Sequence, residues 1–316
     1  MNRLSPADWT VPVTDPQDPR VGRLLGSGLS GPEEALCVLV GFPVDEGVRR
    51  NGGRPGAAQG PSALRRALAR LTPDPARWEG FVNLLRRTWD LGDLVPSGEL
   101  TEDQEALGRV LAPYLERGST AIILGGGHET ALGHFLGHAT AGRSVSILNW
   151  DAHPDVRPLL DAEGHSGSPF RQILEHPSGR CRGYHVVGLN PHVVAKAHLD
   201  YLDARGARYE FGPGLTQARI DEIYAELEAD AMVSFDLDAV DQAAAPGVSA
   251  PGAIGLTPAL WLHAAFRAGS SPAVRSIDIV ELCPPLDRDD QTARLAALTI
   301  WKFWSGFLAR GSQEGP

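Results

Sequence analysis

The chain has 316 residues, 42% hydrophobic and 22% charged, enough apolar material for one large domain or two small ones. Its formal net charge of −10 argues against nucleic-acid and anionic-membrane partners, which need a basic face. An acidic small molecule would therefore have to be met by individually placed arginines. Cys37, Cys181 and Cys283 are far apart and show no C-x-x-C spacing, which speaks against a disulfide framework or a zinc ribbon. No apolar run reaches the length of a membrane span or a signal-peptide core, so a reducing, cytoplasmic setting is the expectation.

Residues 1–35, rich in Pro, Gly and Asp, read as an extended arm over the surface. From there short apolar runs alternate with helical patterns. "LCVLVGF" (36–42) is the first expected strand, and "TEDQEALGRVLAPYLERG" (101–118) is the first clear helix. Its Thr-x-x-Gln start reads as a capping box and Gly118 as its stop. Strands follow at "AIIL" (121–124), "SVSILNW" (144–150) and "YHVVGL" (184–189), then a helix at "LTQARIDEIYAELEAD" (215–230). "AMVSF" (231–235) is the next strand. "TPALWLHAAFRAG" (257–269) follows as a helix with Thr257 as N-cap, Pro258 at its first position and Gly269 past its end. "VRSIDIV" (274–280) is the last strand and "DQTARLAALTIWKFWSGFLAR" (290–310) a long terminal helix. Strands apolar throughout are those of a parallel sheet buried on both faces. The alternation predicts a single α/β domain over 1–316, with no repeat and no interdomain linker.

Ligands of such sheets bind beyond the carboxyl ends of the strands, and three stretches place unusual polar residues there. "AIIL" runs into "GGGHE", with His128 and Glu129. "SILNW" runs into Asp151, His153 and Asp155. "MVSF" runs into Asp236 and Asp238, with Asp241 just beyond. In extended chain, residues two apart face the same way, so each pair or triple can share one target. Each signal alone has an ordinary reading: a satisfied histidine, a helix cap, a solvated turn. Together they place four carboxylates and two imidazoles at three strand ends. Converging carboxylates raise each other's pKa unless a cation lies among them. Carboxylate and imidazole without thiolate suit Mn²⁺ better than structural Zn²⁺, and the charges match two divalent ions.

"GGGHE", "NWDAHPDVRP", "SFDLDAVD" with "APGVSAP", and "SIDIVELCPPLD" resemble, in order and spacing over residues 36–305, the ureohydrolase (arginase and agmatinase) superfamily. The three-layer arginase-like fold is what this resemblance implies. "RRNGGRPGAAQGPSALR" (49–65), "HSGSPFRQ" (165–172), "DDQTARLAAL" (289–298) and the Gly before His128 are similar to one branch, the formimidoylglutamases. The resemblance implies two Mn²⁺ per subunit: His128, Asp151, Asp155 and Asp236 around one, and Asp151, His153, Asp236 and Asp238 around the other. It also implies a homo-oligomer. Asp155 would lie near a hydroxide bridging the metals, and Glu281 would accept hydrogen bonds from amidine or guanidine nitrogens.

The reaction implied is hydrolysis of N-formimidoyl-L-glutamate to L-glutamate and formamide, a step of histidine degradation. Two metals yield hydroxide at neutral pH, and the negative cluster attracts a cationic amidinium that Glu281 can hold. Arg157 is expected to bind a substrate carboxylate as a bidentate fork, with Arg54 in "NGGRPG" a second candidate. Ser166 stands where arginases and agmatinases carry the His of an H-G-x-P segment, with His165 beside it. That leaves Asp155, His165 or water as proton donor. The 188–202 stretch departs most from the pattern. Rival readings are an agmatinase or a guanidino-acid hydrolase such as a guanidinobutyrase, a one-metal zinc deacetylase of related fold, and a non-catalytic metal-stabilised scaffold or sensor.

Overall fold

The computed structural model describes residues 3–9, 11, 15, 17–227 and 230–310. Among these, nine strands form one sheet: β1 (Leu4–Ser5), β2 (Cys37–Gly41), β3 (Thr88–Leu94), β4 (Thr120–Leu124), β5 (Val145–Trp150), β6 (Cys181–Leu189), β7 (Arg208–Phe211), β8 (Ala231–Asp236) and β9 (Val274–Val280). Their order is β1-β3-β2-β4-β9-β8-β5-β6-β7. Every neighbouring pair is parallel except β1 with β3.

The apolar strands are buried on both sides because alternate residues enter different cores. In β2, Cys37 and Leu39 join one core while Val38 and Val40 join the opposite one. In β5, Leu148 and Trp150 face the first core, and Val145 and Ile147 a third. Helices cover both faces, giving the three-layer α/β architecture. The helices Gly60–Ala69, Trp78–Arg86, Gln217–Ala225, Pro258–Ser270 and Gln291–Arg310 supply residues to the first core. Leu100–Glu116 packs on the other face at β2 and β4, and Thr130–Thr140 with Pro169–Leu174 at β5 and β6.

Several elements differ from their sequence expectation. The helix expected at 101 begins at Leu100, with Glu99 as an N-cap that makes no side-chain bond. The start is held instead by Asp103, which accepts from Ser97 N and Oγ, both at 2.8 Å. Gly118 does take a left-handed turn there, with φ +84. Thr257 caps its helix as expected, but Gly269 is not a stop. It lies inside the helix where Gln291–Arg310 crosses: a Cβ on Gly269 would sit 2.0 Å from Phe303 O, and one on Gly306 2.0 Å from Phe266 O. The terminal helix therefore packs tightly against the Pro258–Ser270 helix, and its buried face joins the first core. The helix expected over 215–230 runs only from Gln217 to Ala225, capped by Thr216; residues 228 and 229 lie outside the described residues.

The arm expected over 1–35 is partly ordered into elements. Leu4 and Ser5 pair with Leu94 and Asp93 of β3, and Val21–Leu24 is a short helix. Residues 1, 2, 10, 12–14 and 16 lie outside the described residues. β3 itself was not expected, because "TWDLGDL" reads as polar. Its carboxylates have a tertiary purpose: Asp90 and Asp93 bind Arg65, which is 1% exposed and so needs its charge paired.

Candidate metal centre

The strands that end in polar residues are neighbours. β4, β9, β8 and β5 lie side by side at the centre of the sheet. Their parallel carboxyl ends bring His128, Glu281, Asp236 with Asp238, and Asp151 with His153 to one spot. β4 and β5 are consecutive in the chain but three places apart in the sheet, so the connection reverses there. This is the crevice where ligands of open α/β sheets bind.

Local backbone holds each side chain. After β4, a Cβ on Gly126 would fall 1.9 Å from Val44 O. Only glycine lets this turn lie so close, and His128 is then delivered at the start of the Thr130–Thr140 helix. Asp151 Oδ1 accepts from His153 N at 2.7 Å, and Asp236 Oδ1 from Asp238 N at 2.9 Å. These turns leave the second oxygens facing inward. Asn149 donates to Asp151 Oδ2 at 3.0 Å. Asp155 and Glu281 both sit at positive φ, 44° and 65°, although neither is glycine. Such conformations are costly outside glycine and collect at functional positions.

Four of the side chains form one group and three a second. Ligand atoms of His128, Asp151, Asp155 and Asp236 lie within 4.8 Å of one another, as do those of Asp151, His153 and Asp238. His128 Nδ1 is 2.9 Å from Asp236, 3.0 Å from Asp155 and 3.3 Å from Asp151. His153 Nδ1 is 3.0 Å from Asp238 and 3.5 Å from Asp151. Asp151 belongs to both groups; Asp236, expected in both, falls in the first alone.

The residues fit a pair of divalent cations. His128 Nδ1, Asp238 Oδ1 and Glu281 Oε2 are buried without a hydrogen-bond partner, an arrangement that costs free energy unless something else meets them. Burial opposes charge on His128, but Asp151, Asp155 and Asp236 outweigh it and hold the ring well above its usual pKa. Burial followed by the Asp238 and Asp151 charges pushes Asp236 well above the carboxylate range. Burial lifts Asp238 to about 6, even against the pull of His153. The cluster thus demands positive charge, as protons or as metal. Oxygen and imidazole donors without thiolate suit Mn²⁺.

The centre opens into a cavity of about 300 Å³ whose lining includes His153, Asp155, Asp236, Asp238 and Glu281 together with Asn51, Ser166 and the exposed Arg54 and Arg157. Arg157 lies across Gly167, where a Cβ would be 3.0 Å from its Cδ. One of its guanidinium nitrogens donates to Asn51 Oδ1 at 3.0 Å, and Asn51 Nδ2 donates to Ser166 Oγ at 3.1 Å. Arg54 is otherwise engaged: it donates to Ser249 O at 2.8 Å and Val248 O at 2.9 Å, tying the 51–54 loop to the 248–250 loop.

His165 does not line the cavity. Its Nε2 is 3.0 Å from Pro158 O, and its Nδ1 accepts from Gly167 N at 3.2 Å. Both nitrogens thus have partners within the loop, whereas Asp155, the other side chain expected as a proton donor, lines the cavity. Glu129 holds a loop too, accepting from Gly47 N at 2.7 Å, and Asp241 caps its own turn at Ala243 N. Asn51 was not singled out in the sequence, although it stands in the "RRNGGRPG" stretch that Arg54 drew attention to.

Residues 35–305 match the Arginase family. The chain belongs to the arginase family. With that family it is a hydrolase of amidine or guanidine C–N bonds. Its relatives in this family include a formimidoylglutamase of Nocardia farcinica, 40% identical over 280 residues, or 85% of this chain and 86% of that one. A formimidoylglutamase of Geobacillus kaustophilus is 38% identical over 313 residues, covering 92% of each chain. The crystal structure of Trypanosoma cruzi formiminoglutamase with Mn²⁺ superposes with a TM-score of 0.83 at 30% identity, over 93% of this chain and 99% of that one. Among the described residues, no helix of this family member is long and apolar enough to cross a membrane.

Proposed function

We propose that this arginase-family chain hydrolyses N-formimidoyl-L-glutamate to L-glutamate and formamide with two Mn²⁺ per subunit. The observation that carries the reading is the mixed lining of the cavity: buried, acidic Asp236, Asp238 and Glu281 together with the exposed Arg157. A substrate that carries both an amidinium and carboxylates matches both kinds of group. The names of the relatives agree.

His128, Asp151, Asp155 and Asp236 would hold one ion, and Asp151, His153 and Asp238 the other. When bound, the ions supply a strong oxygen nucleophile at neutral pH and Lewis-acid stabilisation of developing charge. The chain's own groups do the rest. Glu281 Oε1 is fixed by His128 N at 2.8 Å, so its bare Oε2 is oriented to accept from the amidinium N–H groups. That charge-assisted contact aligns the amidine carbon for attack. Arg157, steadied by Asn51, presents its remaining N–H groups to a substrate carboxylate, with Ser166 beside it. Water adds to the amidine carbon, the bond to the glutamate nitrogen breaks, and that nitrogen leaves with a proton. Asp155, at positive φ and 3.0 Å from the His128 ring, would pass that proton on.

The test is turnover of formimidoylglutamate, guanidinobutyrate, arginine and agmatine by the Mn²⁺-loaded protein, read as formamide or urea. Formimidoylglutamate is expected to be the best substrate. A clear preference for agmatine, which has no carboxylate, would refute the role of Arg157; a preference for guanidinobutyrate would keep that role and replace the substrate.

A further inference from the structure

Behind the His128 ring, on the side away from the cavity, five more side chains continue it as one buried hydrogen-bonded row. His128 Nε2 is 3.0 Å from Ser234 Oγ, and Ser234 Oγ donates to Asp278 Oδ1. Asp278 Oδ2 is 2.6 Å from His134 Nδ1. His134 Nε2 is 2.5 Å from Ser276 Oγ, which is 2.6 Å from His138 Nε2. His128 is 1% exposed and the other five 0%. Regular structure assembles the row. Ser234 of β8 and Asp278 of β9 are register partners. Ser276 and Asp278 are two apart on β9, so they share a face. His134 and His138 are four apart on the helix Thr130–Thr140, so they share a side of it.

Counting protons gives the row a direction. An ionised carboxylate only accepts, and a serine has one proton to give. Ser234 gives its proton to Asp278, so toward His128 it can only accept. His128 must then carry its proton on Nε2. His134 gives its Nδ1 proton to the other oxygen of Asp278. With His134 neutral, its Nε2 accepts from Ser276, and Ser276 accepts from His138 Nε2. His138 Nδ1, which has no partner, is then a bare lone pair. Burial keeps that ring well below its usual pKa and so uncharged. Every donor in the row thus points toward Asp278.

We propose that Asp278 is a positioning residue that, through Ser234, fixes the His128 tautomer with Nδ1 deprotonated and turned to the cation. The inference rests on the metal-binding part of the proposed function. An amide at 278 breaks the direction of the row. If its NH₂ faces Ser234, the serine turns its proton to His128 Nε2, and the ring proton moves to Nδ1, where it competes with the ion. Partners that orient a metal-bound histidine are typically worth about 10–100-fold in metal affinity.

The experiment compares Asp278→Asn and Ser234→Ala with the wild-type protein, with His138→Gln as a variant at the far end of the row. Mn²⁺ affinity at each site is measured by competition, and the spin-coupled two-manganese signal by electron paramagnetic resonance. Nitrogen-15 shifts of the histidine rings in the metal-free protein, taken at a pH high enough to leave the His128 ring neutral, report the tautomer. Asp278→Asn and Ser234→Ala are expected to weaken one Mn²⁺ by about 10–100-fold, to replace the coupled signal by that of a single ion, and to shift the His128 ring away from the Nε2–H form. His138→Gln is expected to leave all three unchanged. Ser234→Ala decides the matter if Asp278→Asn does not fold. Unchanged site affinities and tautomer, or equal weakening at both sites with the tautomer kept, would overturn the proposal. A wild-type protein that takes two Mn²⁺ but ignores formimidoylglutamate would refute the function and leave this inference standing.

Discussion

The floor and the rim of the cavity are built by different means. The floor side chains leave four adjacent buried strands within a few residues of their ends, and Asp151, His128 and Asp236 are at most 2% exposed. The rim comes from three loops, 51–54, 157–168 and 248–250, and Arg157 and Arg54 are exposed. Strand ends are fixed by the packing of the whole sheet, so a constellation placed there keeps its geometry while loops vary. The reaction type therefore belongs to the floor and the choice of substrate to the rim.

That division can be broken by mutation. Asp238→Ala removes one of the three side chains of the second group, and with that ion would go several kcal/mol of transition-state stabilisation. A loss in kcat/KM of about 10³-fold or more is expected on every substrate, with circular dichroism unchanged. Arg157→Ala should cost about 10–100-fold, the worth of a charge-assisted hydrogen bond, chiefly in KM, for substrates with a carboxylate. Its slow turnover of agmatine should not fall. If Arg157→Ala lowered all substrates alike, the rim would be part of the chemistry and the division would fail. Asn51→Ala sharpens the point. It frees Arg157 without removing it, so a smaller rise in KM is expected, about 10-fold or less, at constant kcat. Arg54→Ala should have the smallest effect on the reaction. Its bonds to Val248 O and Ser249 O hold one loop to another, and their loss costs about 1–2 kcal/mol, visible as a lower melting temperature before any loss of rate.

The same contrast governed what could be read from the sequence. The floor was legible because three signals coincide: an apolar run, its abrupt end, and acidic or imidazole residues at every second position. The six buried strands stood out for the same reason. β3 did not, because its Asp90 and Asp93 serve Arg65 of a distant helix, and no local pattern reveals a partner so far along the chain. The role of Gly269 was misjudged because a glycine near a helix end reads as a stop, while here another helix crosses it. At the rim, Arg157 was reached by its nearness to the expected ligands, whereas Arg54 and His165 stood out only by their neighbours in the chain, and no local pattern announced that each bonds to loop carbonyls. A signal for the row behind His128 was present. Ser234, Ser276 and Asp278 are polar residues inside strands buried on both faces, and buried polar groups there require partners.

Metal loading also carries a pH signature. Without metal, the site keeps protons, since His153 is raised to about 12 by Asp238 and Asp151 against its burial, and Asp238 to about 6. Ligands must shed those protons to bind the ion. Loading should therefore release protons, and affinity should fall as the pH is lowered.

The central claim is that this cluster exists to hold two cations. Titration of chelator-stripped protein with Mn²⁺ by calorimetry, in two buffers of different ionisation enthalpy, tests it directly. The account predicts two ions per chain, net proton release, and a rise in melting temperature with added metal. A single ion per chain, or none, with the fold intact would contradict it.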